Sequence, residues 1–251
     1  MNLDTCLNLA LDAANQASKA ILNERKQLKV FKKDDGSPLS SADLVSNEII
    51  CEILAKSDIK ICSEERVLSF DERKNLEYFW LIDPLDGTNG FLKNSNEFCV
   101  MISLIHKNRP ILGLIKSPIT NDIFYAHKDS KLYKNDEILN TNNFEKGKFK
   151  ALLSVHYPSK EDENFIQTNK LETIKCGSGL KFGLLLQGEA GVYKRFESLH
   201  IWDLAAGDFL IHKNGGFMCN FNARLLDYNS EKFTTSPFIA VAKKEFLEEF
   251  L

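Results

Sequence analysis

Apolar residues recur three and four positions apart from the start of the chain. Cys6, Leu7, Ala10, Ala13, Ala14, Ala17, Ala20 and Ile21 share one face, which predicts an amphipathic helix over residues 3–26. The polar stretch "FKKDDGSP", residues 31–38, breaks the period as a loop or hairpin. "SSADLVSNEIICEILAKS" restores it with Leu44, Val45, Ile49, Ile50, Ile53 and Leu54, behind a serine suited to capping a helix. Strands follow. "DIKICSEE" is short and runs into acids. "EYFWLIDP" is an apolar run that Pro84 is expected to stop. "FCVMISLIHKNRPILGLIKSP" reads as two strands about a turn at Lys107 to Arg109, and "DIFYAHKDSKLYKN" as a hairpin. Two helices before antiparallel strands predict an α+β half.

The loop "NTNNFEKGKFK", residues 140–150, is the expected seam, dividing the chain into domains 1–140 and 141–251. Beyond it strands and helices alternate: strand "ALLSVHY", helix "KEDENFIQ", strand "LETIKC", helix "SGLKFGLLLQG", strand "AGVYKRF" and helix "IWDLAAGDFLIHKNGG". This half reads as a mixed sheet with helices on its faces. There is no internal repeat.

The 251 residues, 43% of them hydrophobic, supply enough apolar surface for one large core or two small ones. A net charge of −3 points to neither a nucleic-acid nor a membrane surface, so a polyanionic ligand needs local cations or bound metal. No apolar run approaches the roughly 20 residues that span a bilayer, and nothing resembles a signal peptide. The six cysteines form no C-x-x-C pair, and most sit in apolar surroundings, as reduced thiols of a cytoplasmic protein would.

The candidate chemistry lies in "WLIDPLDGTNGF", residues 80–91. Asp83 falls at the end of the strand and Asp86 projects from the turn after it. Their side chains and the Leu85 carbonyl can converge, and hard oxygen donors gathered that way suit Mg²⁺. Gly87 admits close approach of a ligand, and Thr88 opens a short helix whose free N–H groups suit an anion. The same letters also fit a plain turn with capping aspartates. Further acids occur in comparable settings. Glu64 and Glu65 end another strand. Asp203 stands at the front of a helix, where the dipole alone favours it. Asp43 follows Ser40 by three residues, the spacing of a capping box.

"WLIDPLDGT" and "IWDLAAGDFLIHKNGG" resemble the two signatures of the Mg²⁺-dependent, Li⁺-sensitive inositol monophosphatase superfamily, and "SEE" resembles its acidic strand end. The three occur in the family's order along most of the chain. "GSGLKFGLLLQGEAGVYKRF…IWD" looks most like the bacterial CysQ-type 3'(2'),5'-bisphosphate nucleotidases. The resemblance implies an α+β fold layered α/β/α/β/α. It also implies removal of the 3'-phosphate of adenosine 3',5'-bisphosphate, a by-product of sulfate assimilation, with two or three Mg²⁺ ions as cofactor.

By that resemblance Glu64, Asp83 and the Leu85 carbonyl hold one metal, and Asp83, Asp86 and Asp203 a second. Thr88 orients the attacking water, Asp43 helps to draw its proton, and Gly87 and Thr88 hold the phosphate. Ser178, Lys181 and Arg195 grip the nucleotide. Ser178 and Lys181 would share a helix face, and Arg195 would meet a phosphate or adenine. Lys32 and Lys33 sit in a loop that in relatives closes over the site, and they also fit a plain charged hairpin. His156 either borders the base or is structural. No partner beyond a small phosphorylated metabolite is implied, in a monomer or homodimer. The chain departs from the pattern at Asn89-Gly90, where close relatives read Lys-Glu. Glycine there weakens the short helix by roughly 0.5–1 kcal/mol, and "DGTN" leans toward the inositol-phosphate branch. A metabolite-binding relative without catalysis is a third expectation, disfavoured by the complete set of oxygen donors.

Overall fold

The computed structural model describes residues 1–32, 36, 38–140 and 144–251. Lys33 and residues 141–143 of the expected seam lie outside them.

Helix α1 (Leu3–Glu24) starts at Asn2, whose side chain accepts the Thr5 N–H. Four of its nine buried residues are alanine, at Ala10, Ala13, Ala14 and Ala17, and α2 (Ser41–Leu54) packs closely against it. Between them, β1 (Val30–Lys32) pairs antiparallel with β2 (Pro38–Ser40), the expected hairpin. Next come β3 (Ile61–Ser63), α3 (Phe70–Arg73), β4 (Tyr78–Asp86), α4 (Thr88–Leu92), β5 (Cys99–His106), β6 (Arg109–Lys116), β7 (Ile123–His127), β8 (Tyr133–Lys134) and β9 (Glu137–Ile138). Strands β3 to β9 form one seven-stranded sheet in sequence order, antiparallel except for the β3–β4 pair.

Alternation on this sheet separates two cores. Trp80, Ile82, Val100, Ile102 and Leu104 face α1 and α2, whereas Phe79, Leu81, Cys99, Met101 and Ile105 face the opposite side. There the core continues into the second half of the chain: β10 (Lys150–Ser154), α5 (Lys160–Thr168), β11 (Glu172–Cys176), α6 (Leu180–Leu186), β12 (Val192–Arg195), α7 (Ala205–Lys213), β13 (Phe217–Asn220), β14 (Phe238–Val241) and α8 (Leu247–Phe250). Its five-stranded sheet has the order β11-β10-β12-β14-β13 and is mixed, parallel at β10–β11 and antiparallel at β12–β14. Helix α7 packs on β6 on one side and β13 on the other, while α5 packs on β10 and β12. The result is the expected mixed α+β fold of alternating helix and sheet layers.

One expectation fails at the candidate site. Pro84 does not end its strand. Asp83 pairs with Met101 and Asp86 with Cys99, so β4 fits one residue more than β5 between those two pairs. Pro84, which has no N–H to donate, sits inside this bulge, where a missing ladder bond costs least.

Candidate active site

Helix α2 fixes the bulge from beneath. Ser46 Oγ donates to the Pro84 carbonyl at 2.7 Å, and the Leu85 N–H donates to Asp83 Oδ1 at 3.0 Å. Gly87 follows with φ +98°, and a Cβ there would lie 2.9 Å from the Glu97 carbonyl oxygen, so only glycine fits. The chain then enters α4 at Thr88. Its hydroxyl lies 2.8 Å from Asp43 Oδ1 and 3.1 Å from the Leu85 carbonyl, and it donates to either acceptor.

Asp43 answers both readings of its position. Its Oδ2 accepts the Ser40 N–H at 2.7 Å and the Ser40 hydroxyl at 2.5 Å, completing the capping box of α2, while its Oδ1 faces Thr88. The side chain is 2% exposed. Burial pushes its pKa up, against the hydrogen bonds from Ser40 and Thr88, and the nearby Glu64 charge adds to the rise.

Three of the expected acids converge. Asp83, Asp86 and Asp203 each offer a carboxylate oxygen within 4.8 Å of the other two. Asp203 is not the first helical residue. It lies in the turn before α7, where its Oδ2 accepts the His200 N–H at 3.0 Å. Asp86 Oδ2 takes the N–H of Gly179 and lies 3.6 Å from the Cys99 thiol. A Cβ at Gly179 would come within 3.2 Å of that same oxygen, so the glycine permits the approach. Glu64, one residue beyond β3, lines the same cavity of about 540 Å³. Burial raises the pKa of Asp83 well above the carboxylate range, and the charges of Glu64, Asp86 and Asp203 raise it further. Burial and its acidic neighbours do the same for Asp203. For Asp86 the rise from burial is opposed by Lys181 and the Gly179 N–H. The donors are hard oxygens crowded against one another, a set that fits Mg²⁺.

The opposite wall comes from the second sheet. Ser178 precedes α6 instead of sharing its face, in the left-handed region at φ +52°. Lys181 is 6% exposed. Its ammonium donates to the Ser178 carbonyl at 2.8 Å and stands 5.3 Å from the centre of the Tyr193 ring. Arg195 lines the cavity but is 4% exposed, not a surface charge, and its terminal nitrogens are committed to protein. Nη1 donates to Asp162 Oδ2 at 2.6 Å and to the Tyr157 carbonyl at 2.5 Å, and Nη2 to Glu197. Asp162 also completes the capping box of α5 with the N-cap Ser159. Lys32 is exposed at the end of β1.

Ser46, Gly179 and Asp162 were not among the expected site residues. Asp162 carries a sequence signal, the Ser159-x-x-Asp162 capping spacing. Ser46 carries none, because its partner is 38 residues away.

A family model for the inositol monophosphatase family matches residues 2–250. The 3'(2'),5'-bisphosphate nucleotidase CysQ of Buchnera aphidicola subsp. Acyrthosiphon pisum is 36% identical over 251 residues, 96% of this chain and 93% of the relative. That of Escherichia coli K12 is 30% identical over 245 residues, 96% and 99% of the two chains. The crystal structure of CysQ from Bacteroides thetaiotaomicron superposes with a TM-score of 0.82 at 29% identity, over 95% and 97% of the chains. A staphylococcal inositol monophosphatase reaches 0.83 at only 16% identity, over 100% and 96%, a likeness of fold alone. With the family model matching almost end to end and such relatives along nearly its whole length, the chain belongs to the inositol monophosphatase family.

Proposed function

We propose that this enzyme, a phosphatase by its family, removes the 3'-phosphate of adenosine 3',5'-bisphosphate, giving AMP and phosphate. The observation that carries the chemistry is the convergence of Asp83, Asp86 and Asp203 beside Thr88. The nucleotide is supported by the likeness to CysQ nucleotidases and by the buried ammonium of Lys181 on the cavity wall.

Asp83, Asp86, Asp203, Glu64 and the Leu85 carbonyl are the residues that would hold two or three Mg²⁺ ions. Bound there, the cations supply the charge that acidifies a water and neutralises the phosphate and the leaving oxygen. Thr88 donates its proton to Asp43 Oδ1, which leaves its lone pairs to accept a proton from the attacking water. That proton passes to Thr88 Oγ as the threonine proton passes to Asp43 Oδ1, with which the hydroxyl is already hydrogen-bonded. The N–H groups of Gly87 and Thr88 orient the phosphate. Lys181 and Ser178 meet the part of the substrate that does not react. Arg195 acts behind them, holding the Tyr157 backbone and the start of α5 in place.

Residues 1–140 and 141–251 act as two domains in this reading, with the catalytic carboxylates mainly on the first. Six free cysteines support a reducing, cytoplasmic setting. No helix among the described residues is long and apolar enough to cross a membrane. The Asn89-Gly90 departure favours inositol phosphates as the second reading. Phosphate release from a panel of phosphomonoesters, with and without Mg²⁺, tests both. Preference for inositol 1-phosphate would transfer the assignment, and no release from any ester would reject it.

A further inference from the structure

Helix α4 holds Thr88 in its first turn, yet five residues with a glycine third in line make a weak helix. From one side it is fixed by the N-terminal half. Arg25, just past α1, donates to the Ser95 carbonyl at 2.9 Å and to Asn96 Oδ1 at 3.0 Å, and lies 5.6 Å from the Phe91 and Phe98 rings. From the other side comes His156, beyond the end of β10 in the second half. A Cβ at Gly90 would stand 3.0 Å from His156 Nε2 and 3.6 Å from its Cδ2. The imidazole occupies the space into which a side chain at position 90 would grow. Its Nε2 is shut off from solvent and has no hydrogen-bond partner among the described residues. Against Gly90 the ring contributes shape and contact, and it also lines the cavity.

We propose that His156 is a positioning residue for Thr88, bracing α4 across the domain boundary through the notch left by Gly90. The inference rests on the phosphatase reading for its kinetic consequence. A ring that keeps the first turn of α4 in place keeps the Thr88 hydroxyl aligned between Asp43 and the incoming water. Loss of the ring lets that turn relax, which affects the reacting geometry more than substrate binding.

The experiment combines kinetics with amide hydrogen exchange across residues 88–92. In His156→Ala we expect kcat to fall about tenfold with KM changed less than twofold, and exchange of α4 to rise. His156→Phe, which keeps a ring and drops the unpartnered nitrogen, is expected to stay within about threefold of wild type in kcat. Gly90→Ala alone crowds the ring and lowers kcat, whereas in the His156→Ala background it fills the notch and recovers most of the loss. Unchanged kcat in His156→Ala, additive effects of the two alanines, or a phenylalanine variant as impaired as the alanine would each overturn the proposal. If wild type hydrolyses no ester, the phosphatase reading fails, and exchange in α4 still decides whether His156 braces it.

Discussion

Asp203 and Asp208 stand five residues apart around the start of α7, and their surroundings set them in opposite states. Asp208 is fully buried, and burial alone would raise its pKa. Hydrogen bonds from His212 and Arg109, with the Arg109 charge, instead pull it below the carboxylate range. Arg109 is bidentate to it at 2.7 and 2.9 Å, and Tyr228 donates to Oδ2 at 2.6 Å. At Asp203 burial first, and then the charges of Asp86 and Glu64, push the pKa well above that range, against the His200 N–H and Lys181. The Asp208 network is complete within the protein and ties α7 to β6. The Asp203 cluster instead brings three carboxylates within 4.8 Å of one another, the charge that the proposed cations would neutralise. A buried acid with a full set of donors marks structure, and one crowded by its own kind marks a site.

The hardest way to break that contrast is to remove one acid from each side. Asp83→Asn keeps the Oδ1 that accepts the Leu85 N–H, so the fold should stand, while turnover at saturating Mg²⁺ drops by about three orders of magnitude, ~4 kcal/mol of barrier. Steady-state phosphate release checks it, and near-normal turnover of a folded variant would end the metal-ligand role. Asp208→Asn is expected to do the reverse. Arg109 loses its charge partner, denaturant unfolding shows a loss of about 3 kcal/mol, and kcat of the folded fraction stays within a factor of a few.

Lys181 and Arg195 sharpen the contrast on the cationic side. A charge-assisted hydrogen bond is worth roughly 1.5–3 kcal/mol. Lys181→Ala should therefore lower kcat/KM on adenosine 3',5'-bisphosphate by about one to two orders of magnitude and spare inositol 1-phosphate. Arg195→Ala strands Asp162 and should lower stability and both activities together. Equal losses on both substrates in the lysine variant would remove it from substrate recognition.

The smallest effect concerns pH without metal. The raised pKa of Asp83 means that its ionised form costs stability once pH exceeds the folded pKa, and that this cost vanishes as pH falls toward the ordinary carboxylate range. In EDTA at pH 8, Asp83→Asn should melt above wild type by an amount of the order of 1 kcal/mol. The gap should close on acidification and reverse when Mg²⁺ is added. The lowered pKa of Asp208 gives the opposite slope: its stabilisation is full above the ordinary carboxylate range and fades as pH falls through the folded value. Melting curves of the wild type and the two Asn variants in EDTA, carried from pH 8 down below the ordinary carboxylate range, decide it; parallel slopes would dissolve the distinction.

Much of this was legible in sequence because it is local. Hydrophobic spacing located α1, α2 and the meander of strands, and "DPLDGT" marked the turn. Pro84 misled because proline stops a ladder in general but is tolerated in a bulge, and nothing local announces a bulge. Arg195 looked available because its partner Asp162 lies 33 residues earlier, on a helix whose docking only the fold reveals. Ser46 beneath Pro84, and His156 over Gly90, are likewise contacts between elements distant along the chain.

Asp43 carries one further consequence, for mutational tolerance. As the capping-box partner of Ser40 alone it could drift to asparagine or glutamine, whose side-chain oxygen still accepts the Ser40 N–H, at a cost of about 1 kcal/mol or less. Its two oxygens, however, serve different clients: Oδ2 the end of the β1–β2 hairpin at Ser40, Oδ1 the hydroxyl of Thr88. Substitutions that satisfy the first client discharge the second badly, because none supplies a carboxylate that takes up a proton. A random library selected for folding should thus accept several residues at position 43, and one selected for phosphate release should return aspartate.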